Sequence, residues 1–339
     1  MSSHQPIPPS LKMMYMITGF WTSCCIYVVA KLNIADLLYI KPLTIEELAT
    51  ATNTHQPSLF RLMRAMVSLD VFHLNEYRQY ELTPLGKTLQ SPLPGSMHAM
   101  AIAQLSDHLG AWSNLFHTIK TGEIAFDKVE GMSIWDYYET HPEKGINFMK
   151  AMTGMTEGTN RSIVPVYDFT QFKTIIDVGG GNGALLFNIL NHAPDAKGII
   201  FELPYVANET GNQIPIARLE DRCIVQGGNF FHSIPSDGDL YIMKLILHDW
   251  NDEKSIHILN NCSKVMKPGS KLLIIDAVIP ENNEPHTGKF IDINMMLMTG
   301  GCERTENEFK ELLVLSGLKL HKIIPTLTPA VSILETVLG

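Results

Sequence analysis

The 339-residue sequence has few of the features that mark secreted, metal-binding or nucleic-acid-binding proteins. It has five cysteines, with no C-x-x-C pair and no histidine cluster at zinc-ligand spacing. We therefore expect a reducing, cytoplasmic location and no structural metal. Its 26 Lys and Arg against 35 Asp and Glu give a net charge of −9 without long runs of one sign. This balance disfavours nucleic acid and membranes as partners and favours small molecules.

The chain also lacks an apolar run uniform enough to span a bilayer. Residues 13–30 form the most apolar stretch near the start, but Thr18, Thr22 and Ser23 interrupt it. Neither a basic segment nor a small-residue cleavage site accompanies this stretch, so we predict a buried helix. Hydrophobic residues make up 45% of the sequence, which is enough at this length for more than one domain.

The N-terminal part has the order of a winged helix. Thr44 and Glu47 form a capping-box pattern before a short helix, and a Met- and Leu-rich helix and two β-like runs follow. Such a fold can bind DNA, but the second helix offers only Arg61 and Arg64, whereas phosphate contacts need a basic cluster. We therefore predict a winged-helix-like dimerisation domain at residues 1–98.

Residues 99–165 continue the helical pattern and carry many methionine and aromatic side chains. Met149 and Met152 belong to this set, and methionine suits adaptable ligand pockets as well as ordinary cores. The spacing does not separate these two interpretations. We predict a helical linker that contributes to a substrate pocket.

From residue 166 to 339 the pattern changes to short apolar runs that alternate with helical stretches. The runs lie at 174–178, 198–201, 223–226, 240–247 and 271–278. This alternation predicts an α/β domain with a doubly wound, Rossmann-like parallel sheet. The last two runs, 318–324 and 331–337, are separated by a turn at 325–329 without a helix. We expect them to form an antiparallel hairpin at the sheet edge.

A glycine-rich loop at 177–183 follows the first of these strands. Glycines let the backbone turn tightly and approach a ligand, and the helix that follows favours negative groups. Gly179 and Gly181 also fit the dinucleotide fingerprint, and Glu202 suits a ribose in either case, so a nicotinamide oxidoreductase remains an alternative. The carboxylate of Asp177, however, would repel a pyrophosphate, whereas it is compatible with the amino group and the sulfonium charge of a methyl donor.

Five ordered motifs resemble those of the caffeate-type small-molecule O-methyltransferases of plants and bacteria. They are the glycine loop, FELP at 201–204, GGNFF at 227–231, LHDW at 247–250 and GGCERT at 300–305. Their order and spacing make the resemblance specific, and it covers almost the whole chain. It implies a class I methyltransferase that uses S-adenosylmethionine and no metal, releases S-adenosylhomocysteine and forms a homodimer.

The resemblance also implies roles for individual residues. Those expected to bind the cofactor are Asp177, Gly179, Gly181, Glu202, Asn229, Phe230, Lys244 and Trp250. Those expected to line the acceptor pocket are Met149, Met152, Asp292, Asn294, Met295 and Met298. His248 matches the family's general base, Glu303 the carboxylate that orients it, and Asp276 a second acidic helper. Glu202 and Asn229 stand where Asp is usual, and Asp276 stands where plant members carry Glu, which shortens its reach.

This set of groups suits methyl transfer to a hydroxyl of an aromatic metabolite. A phenol with a pKa near ~10 is mostly protonated at neutral pH, whereas an imidazole with a pKa near ~6.5 can remove its proton during attack. Glu303 would hold the imidazole of His248 in one tautomer and stabilise its charged form. The scaffold does not dictate the accepting atom, so methylation of nitrogen or carbon in secondary metabolism remains an alternative.

Overall fold

The computed structural model describes residues 7–91, 93–328 and 331–339. The chain divides into two compact units. The first unit consists of the described residues up to Leu109 together with Glu143–Met155, and the second consists of Gly110–Pro142 and the described part of 156–339. The three-part division at residues 98 and 165 stays a prediction.

Short helices and one small hairpin form the N-terminal part. In chain order the elements are α1 Pro9–Thr18, α2 Phe20–Lys31, α3 Ile34–Ile40, α4 Ile45–Thr52, α5 Gln56–Ser68, β1 Phe72–Leu74, β2 Tyr80–Leu82, α6 Pro84–Lys87 and α7 His98–Ala103. The Thr44 hydroxyl accepts the Glu47 N–H and the Glu47 carboxylate accepts the Thr44 N–H, so the predicted capping box before α4 is confirmed. The antiparallel β1–β2 pair confirms the predicted wing.

The prediction of a buried helix at 13–30 is wrong. Gly19 separates α1 from α2, α1 has no buried residue, and α2 buries only Val29 and Ala30. Apolar composition predicted the helix but could not show which chain covers it. Pro9–Lys31 is also the one stretch of the described chain with the length and composition to cross a membrane, with a mean hydropathy of 1.5. A single such stretch near the N-terminus is weak evidence of a membrane span.

A π-helix, Gln104–His108, then leads into five α-helices and a 3₁₀ turn: α8 Leu109–Ser113, α9 Leu115–Thr121, α10 Ala125–Glu130, α11 Ile134–Thr140, α12 Pro142–Ile163 and the turn Val164–Val166. The sheet region then contains β3 Thr174–Val178, α13 Ala184–His192, β4 Lys197–Glu202, α14 Pro204–Gly211, α15 Ile214–Ala217, β5 Cys223–Gly227 and β6 Leu240–Lys244. It continues with α16 Asp252–Val265, β7 Lys271–Asp276, α17 Gly288–Met298, α18 Glu306–Leu315, β8 Leu318–Pro325 and β9 Ser332–Leu338.

Seven strands form one mostly parallel sheet in the order β5-β4-β3-β6-β7-β9-β8. β9 pairs antiparallel with both β7 and β8, so the predicted Rossmann-like sheet with a terminal hairpin is confirmed. Two predicted strands were too long, because β6 ends at Lys244 and β7 at Asp276, where the chain turns into the loops of the site. β8 includes Pro325, where the turn was predicted to begin, and Pro329 lies outside the described residues.

Buried apolar side chains of the strands and of the helices around them form two hydrophobic clusters in this region. The parallel pairing of β3 with β4 and β6, and of β6 with β7, places their carboxyl ends at one edge. That edge carries Asp177, Glu202, Lys244 and Asp276, each at or near the end of its strand. Open α/β sheets bind ligands at this edge.

Candidate active site

The loop after β3 is closed by the carboxylate of Glu202. Its Oε2 accepts the Gly181 N–H at 3.0 Å, and its Oε1 accepts the Leu203 N–H at 2.7 Å. Burial raises the pKa of Glu202, and these two N–H groups oppose the rise. The Thr210 hydroxyl donates to the Gly181 carbonyl at 2.7 Å, which fixes the loop from its other side.

Three glycines of this loop, Gly179, Gly181 and Gly183, have positive φ angles. Gly179 and Gly181 have φ angles of +72° and +55°, in the left-handed region that other residues rarely adopt. A Cβ on Gly179 would overlap the Ile246 side chain, whereas a Cβ on Gly181 would meet no atom within 4 Å. The backbone at Gly181 therefore borders open space. This cradle fits a ligand that needs close approach to the backbone.

Two buried charged side chains, at or near the ends of β3 and β6, influence each other's pKa. Asp177 is 2% exposed, and burial raises its pKa to about 7, although the charge of Lys244 opposes the rise. Burial lowers the pKa of Lys244 to about 8, against the attraction of Asp177 and Asp276. Both predicted cofactor residues thus belong to one electrostatic cluster.

An aromatic cluster forms the next wall. The ring of Trp250 lies 6.2 Å from Phe230 and 4.8 Å from Phe231, in edge-to-face geometry. Trp135 of α11 stacks on Trp250 at 5.7 Å, and the Lys254 ammonium lies 5.1 Å from the Trp250 ring centre. Sequence reasoning missed Trp135, because its place in a helical aromatic stripe gave no sign of its partner.

Asn229 has a structural contact in this wall. Its Oδ1 accepts the Phe231 N–H at 2.9 Å and closes the turn after β5. The Asn261 amide donates to the carbonyls of Phe230 and Phe231 at 3.0 and 2.9 Å. The turn that presents Phe230 is therefore held from both sides.

The predicted base and its carboxylate partner are in contact. His248 lies in a 3₁₀ turn, Leu247–Asp249, and its Nδ1 is 2.7 Å from Oε1 of Glu303. A carboxylate at Nδ1 favours the tautomer with hydrogen on Nδ1, which leaves Nε2 as the basic nitrogen. The backbone N–H of Glu303 donates to Oδ1 of Asp292 at 2.9 Å and fixes the carboxylate's own segment.

Three carboxyl groups surround this imidazole. Burial lowers the pKa of His248, but Asp249, Glu303 and Asp276 overcome that effect and raise it to about 10. Burial raises the pKa of Asp249 to about 6 and that of Asp276 to about 7, while His248 opposes both. The site therefore stabilises the imidazolium that proton removal from a substrate would produce.

Asp276 has an unusual environment. It is 1% exposed, and neither of its carboxyl oxygens has a hydrogen-bond partner among the described residues. Buried polar groups are almost always paired, and the exceptions often belong to functional sites. This orphaned carboxyl fits a group that meets a ligand.

The acceptor residues predicted on α17 differ in their hydrogen bonds and in their burial. Asp292 accepts from Glu303, and Oδ1 of Asn294 accepts the Trp112 indole N–H at 3.0 Å. Met298 is buried, whereas Met295 is half-buried. Both of the predicted α12 methionines belong to the first unit, and Met152 packs there against small alanine side chains. The structure thus joins Asp292 to the segment that carries Glu303, and the acceptor roles of Asn294, Met295 and Met298 stay predictions.

The described residues were also compared with the requirements of a metal site. The residues that the structure describes include no group of three or more His, Cys, Asp or Glu side chains arranged to hold a metal ion. Their five cysteines are all free thiols.

Two family models match the chain. One, described as an O-methyltransferase domain, matches residues 112–319, and the other, described as an O-methyltransferase dimerisation domain, matches residues 14–92. The chain belongs to this O-methyltransferase family. It is an S-adenosylmethionine-dependent O-methyltransferase, and the predicted cofactor is confirmed.

Individual relatives agree with this family. The chain is 43% identical over 320 residues to a phenazine O-methyltransferase of Lysobacter antibioticus, covering 94% of each protein. The solved structure of LaPhzM matches with a TM-score of 0.95 and 42% identity, over 98% of this chain and 100% of that one. An 8-amino-8-demethylriboflavin N,N-dimethyltransferase of Streptomyces davaonensis is 31% identical, over 88% of this chain and 87% of its own.

Proposed function

We propose that this enzyme methylates a hydroxyl group of a small aromatic metabolite, with His248 as the general base. The contact of 2.7 Å between Nδ1 of His248 and Oε1 of Glu303 carries this proposal. It supplies a base whose tautomer is fixed and whose charged form is stabilised, as a triad-like arrangement requires.

The residues divide the chemistry between them. When bound, S-adenosylmethionine supplies an electrophilic methyl group on a sulfonium centre. Gly181 and Glu202 would hold its amino-acid and ribose parts, and Phe230 and Trp250 would line the adenine. His248 would take the acceptor's proton at Nε2 as the oxygen attacks, while Glu303 holds the Nδ1 hydrogen. Holding the reacting atoms in line would supply much of the remaining acceleration.

The acceptor is proposed to be a hydroxylated polycyclic aromatic of secondary metabolism, such as a hydroxyphenazine. The 43% identical relative is named for phenazine methylation, and its similarity extends over nearly the full length of both proteins. Met295 and Met298, together with Asp292 and Asn294, would give an apolar pocket that has polar groups for a ring substituent. The acceptor role of Met149 and Met152, which belong to the first unit, stays a prediction.

Methylation of nitrogen is the second candidate, because one relative is an N,N-dimethyltransferase. A neutral amine attacks through its lone pair and needs no base before the methyl group moves. Loss of His248 would then have little effect on turnover. Product analysis separates the two candidates, because the labelled methyl group would lie on nitrogen.

We also propose a cytoplasmic homodimer that binds no nucleic acid. Met13, Met16, Ile17, Phe20 and Trp21 are each more than half exposed, and a second copy of the chain would cover them. The matched dimerisation domain at residues 14–92 supports this. The five free thiols agree with a reducing compartment.

The decisive experiment compares His248→Ala with His192→Ala. His192 is exposed, and its Nδ1 bonds only to the Asn188 carbonyl of its own helix among the described contacts. With methyl-labelled S-adenosylmethionine and 1-hydroxyphenazine, His248→Ala is expected to lower kcat by roughly 10²-fold or more and to leave donor affinity nearly intact. His192→Ala should match the wild type. Near wild-type kcat in His248→Ala would refute the base assignment.

A further inference from the structure

The turn that carries His248 is packed against a second segment, 301–304. A Cβ on Gly301 would overlap the carbonyl oxygen of His248 and would lie 2.7 Å from the backbone nitrogen of Trp250. No side chain fits at Gly301, so the two backbones are in direct contact. Movement of one segment would therefore displace the other.

Arg304 supplies the polar half of this contact. Its side chain is buried, its Nη1 donates to the Leu247 carbonyl at 3.1 Å, and its Nη2 donates to the Trp250 carbonyl at 2.9 Å. These two carbonyls lie on either side of His248 and Asp249. Because a guanidinium is a planar fork with fixed spacing, it constrains both ends of the turn at once.

The fork is itself held in place. Its Nε and Nη2 donate to Oδ1 of Asp252 at 3.0 and 2.8 Å, and Nη2 also lies 3.2 Å from the hydroxyl of Ser255. The Arg304 carbonyl accepts the Ile279 N–H at 2.9 Å, which ties it to the chain just beyond β7. The side chain of Asp252 is 72% exposed, so this ion pair contributes little energy. The buried bonds to the two carbonyls are the stronger constraint.

We propose that Arg304 is a positioning residue for methyl transfer, which sets the ring of His248 against Glu303 by holding the backbone of residues 247–250. Glu303 and Arg304 are neighbours in the chain, so the carboxylate that orients the imidazole and the cation that orients its backbone move together. The inference rests on the proposed role of His248 as the base. It adds a residue that never touches the reacting atoms.

If the role of Arg304 were purely structural, its loss would lower stability and not kcat in particular. Arg222 provides the matched control. Nη1 of Arg222 lies 3.1, 3.2 and 3.2 Å from the carbonyl oxygens of Leu190, Ala193 and Ala196, in the last turn of α13 and the segment after it. It directly precedes β5, at the sheet edge opposite the site. Replacing Arg222 with Lys removes carbonyl contacts of the same kind without touching the base turn.

The experiment measures Arg304→Lys and Arg222→Lys in the full chain, with 1-hydroxyphenazine and labelled S-adenosylmethionine. Lysine keeps the charge but cannot span both carbonyls, so Arg304→Lys is expected to lower kcat roughly 10- to 100-fold. Its KM and donor Kd should stay within about twofold of the wild type, because the donor and acceptor walls remain. Arg222→Lys should lower thermal stability and leave kcat unchanged.

A double variant separates positioning from general damage. In the His248→Ala background, Arg304→Lys should cause no further loss of kcat, because nothing remains to be positioned. If Arg304→Lys does not fold, Asp252→Asn takes its place, since Asp252 is exposed and its loss only loosens the fork. That variant should lower kcat about threefold, and this loss should also vanish without His248.

Three outcomes would overturn the inference. Arg304→Lys, or Asp252→Asn in its place, could keep wild-type kcat, or could lower kcat as much without His248 as with it. Either result refutes the positioning role and leaves the base assignment intact. If His248→Ala itself kept wild-type turnover, the base assignment and the role of Arg304 would fall together.

Discussion

Glu303→Gln tests how much the charge beside the base contributes to catalysis. Glutamine has nearly the same shape and can still accept a hydrogen bond from Nδ1 of His248, which now spans 2.7 Å. What it loses is the negative charge. Hydrogen bonds to charged groups contribute about 1.5 to 3 kcal/mol, so the maximal kcat should fall by roughly 10- to 100-fold.

The same variant should also move the pH profile. The base acts as neutral imidazole, so kcat/KM rises as pH passes upward through the pKa of His248, which its carboxylate neighbours raise to about 10. Removing the charge of Glu303 lowers that pKa, so the rising limb should shift to lower pH. At pH values below the rising limb, the lower maximal rate reduces kcat/KM while the lower pKa of His248 increases it. A full pH profile separates these two effects.

The assay is steady-state kcat/KM against pH with 1-hydroxyphenazine, compared with Glu123→Gln. Glu123 pairs with Nε2 of His117 at 2.9 Å, but it is exposed and lies outside the site. That control should leave both kcat and the profile unchanged. A Glu303→Gln profile superimposable on the wild type would show that the carboxylate neither stabilises imidazolium nor tunes the base.

Further predictions concern the donor site and assembly. Glu202→Ala should weaken S-adenosylhomocysteine binding by about 1.5 to 3 kcal/mol in calorimetry, whereas exposed Glu209→Ala should not. Gly181→Val forces a β-branched residue to a φ of +55° and places its side chain in open space beside the loop, so binding should be lost. Gly211→Ala, at the end of α14, should bind S-adenosylhomocysteine normally. Normal binding in Gly181→Val together with loss of binding in Gly211→Ala would contradict the assignment of the donor site to this loop. Sedimentation velocity at micromolar concentration should give a dimer, and a monomeric mass would contradict the proposed assembly.

The sheet could be predicted from the sequence because each strand is a local pattern. The apolar runs at 174–178 and 240–247 marked β3 and β6, and the absence of a helix between the last two runs marked the hairpin. The contact between His248 and Glu303 was expected only through the family resemblance. No local pattern joins two residues so far apart in sequence.

The features that sequence reasoning missed depend on contacts between distant residues, which a single sequence does not show. The apolar run at 13–30 predicted a helix but not its exposure, because periodicity cannot show what covers a face. Trp135 and Arg304 were missed for a related reason. Trp135 stacks on Trp250 and Arg304 donates to the Leu247 and Trp250 carbonyls, and only the folded chain brings these groups together.

The position of β9 in the sheet also affects how the protein folds. β8 joins the sheet only through β9, although β8 is synthesised first. Until Ser332–Leu338 pairs with β7, β8 has no partner in the sheet and the edge of β7 stays open. Open edges recruit strands from other chains, so this interval is when aggregation competes with folding. A substitution that weakens the pairing of Ser332–Leu338 with β7 should therefore lower the yield of native enzyme, even though this strand lies outside the predicted catalytic residues.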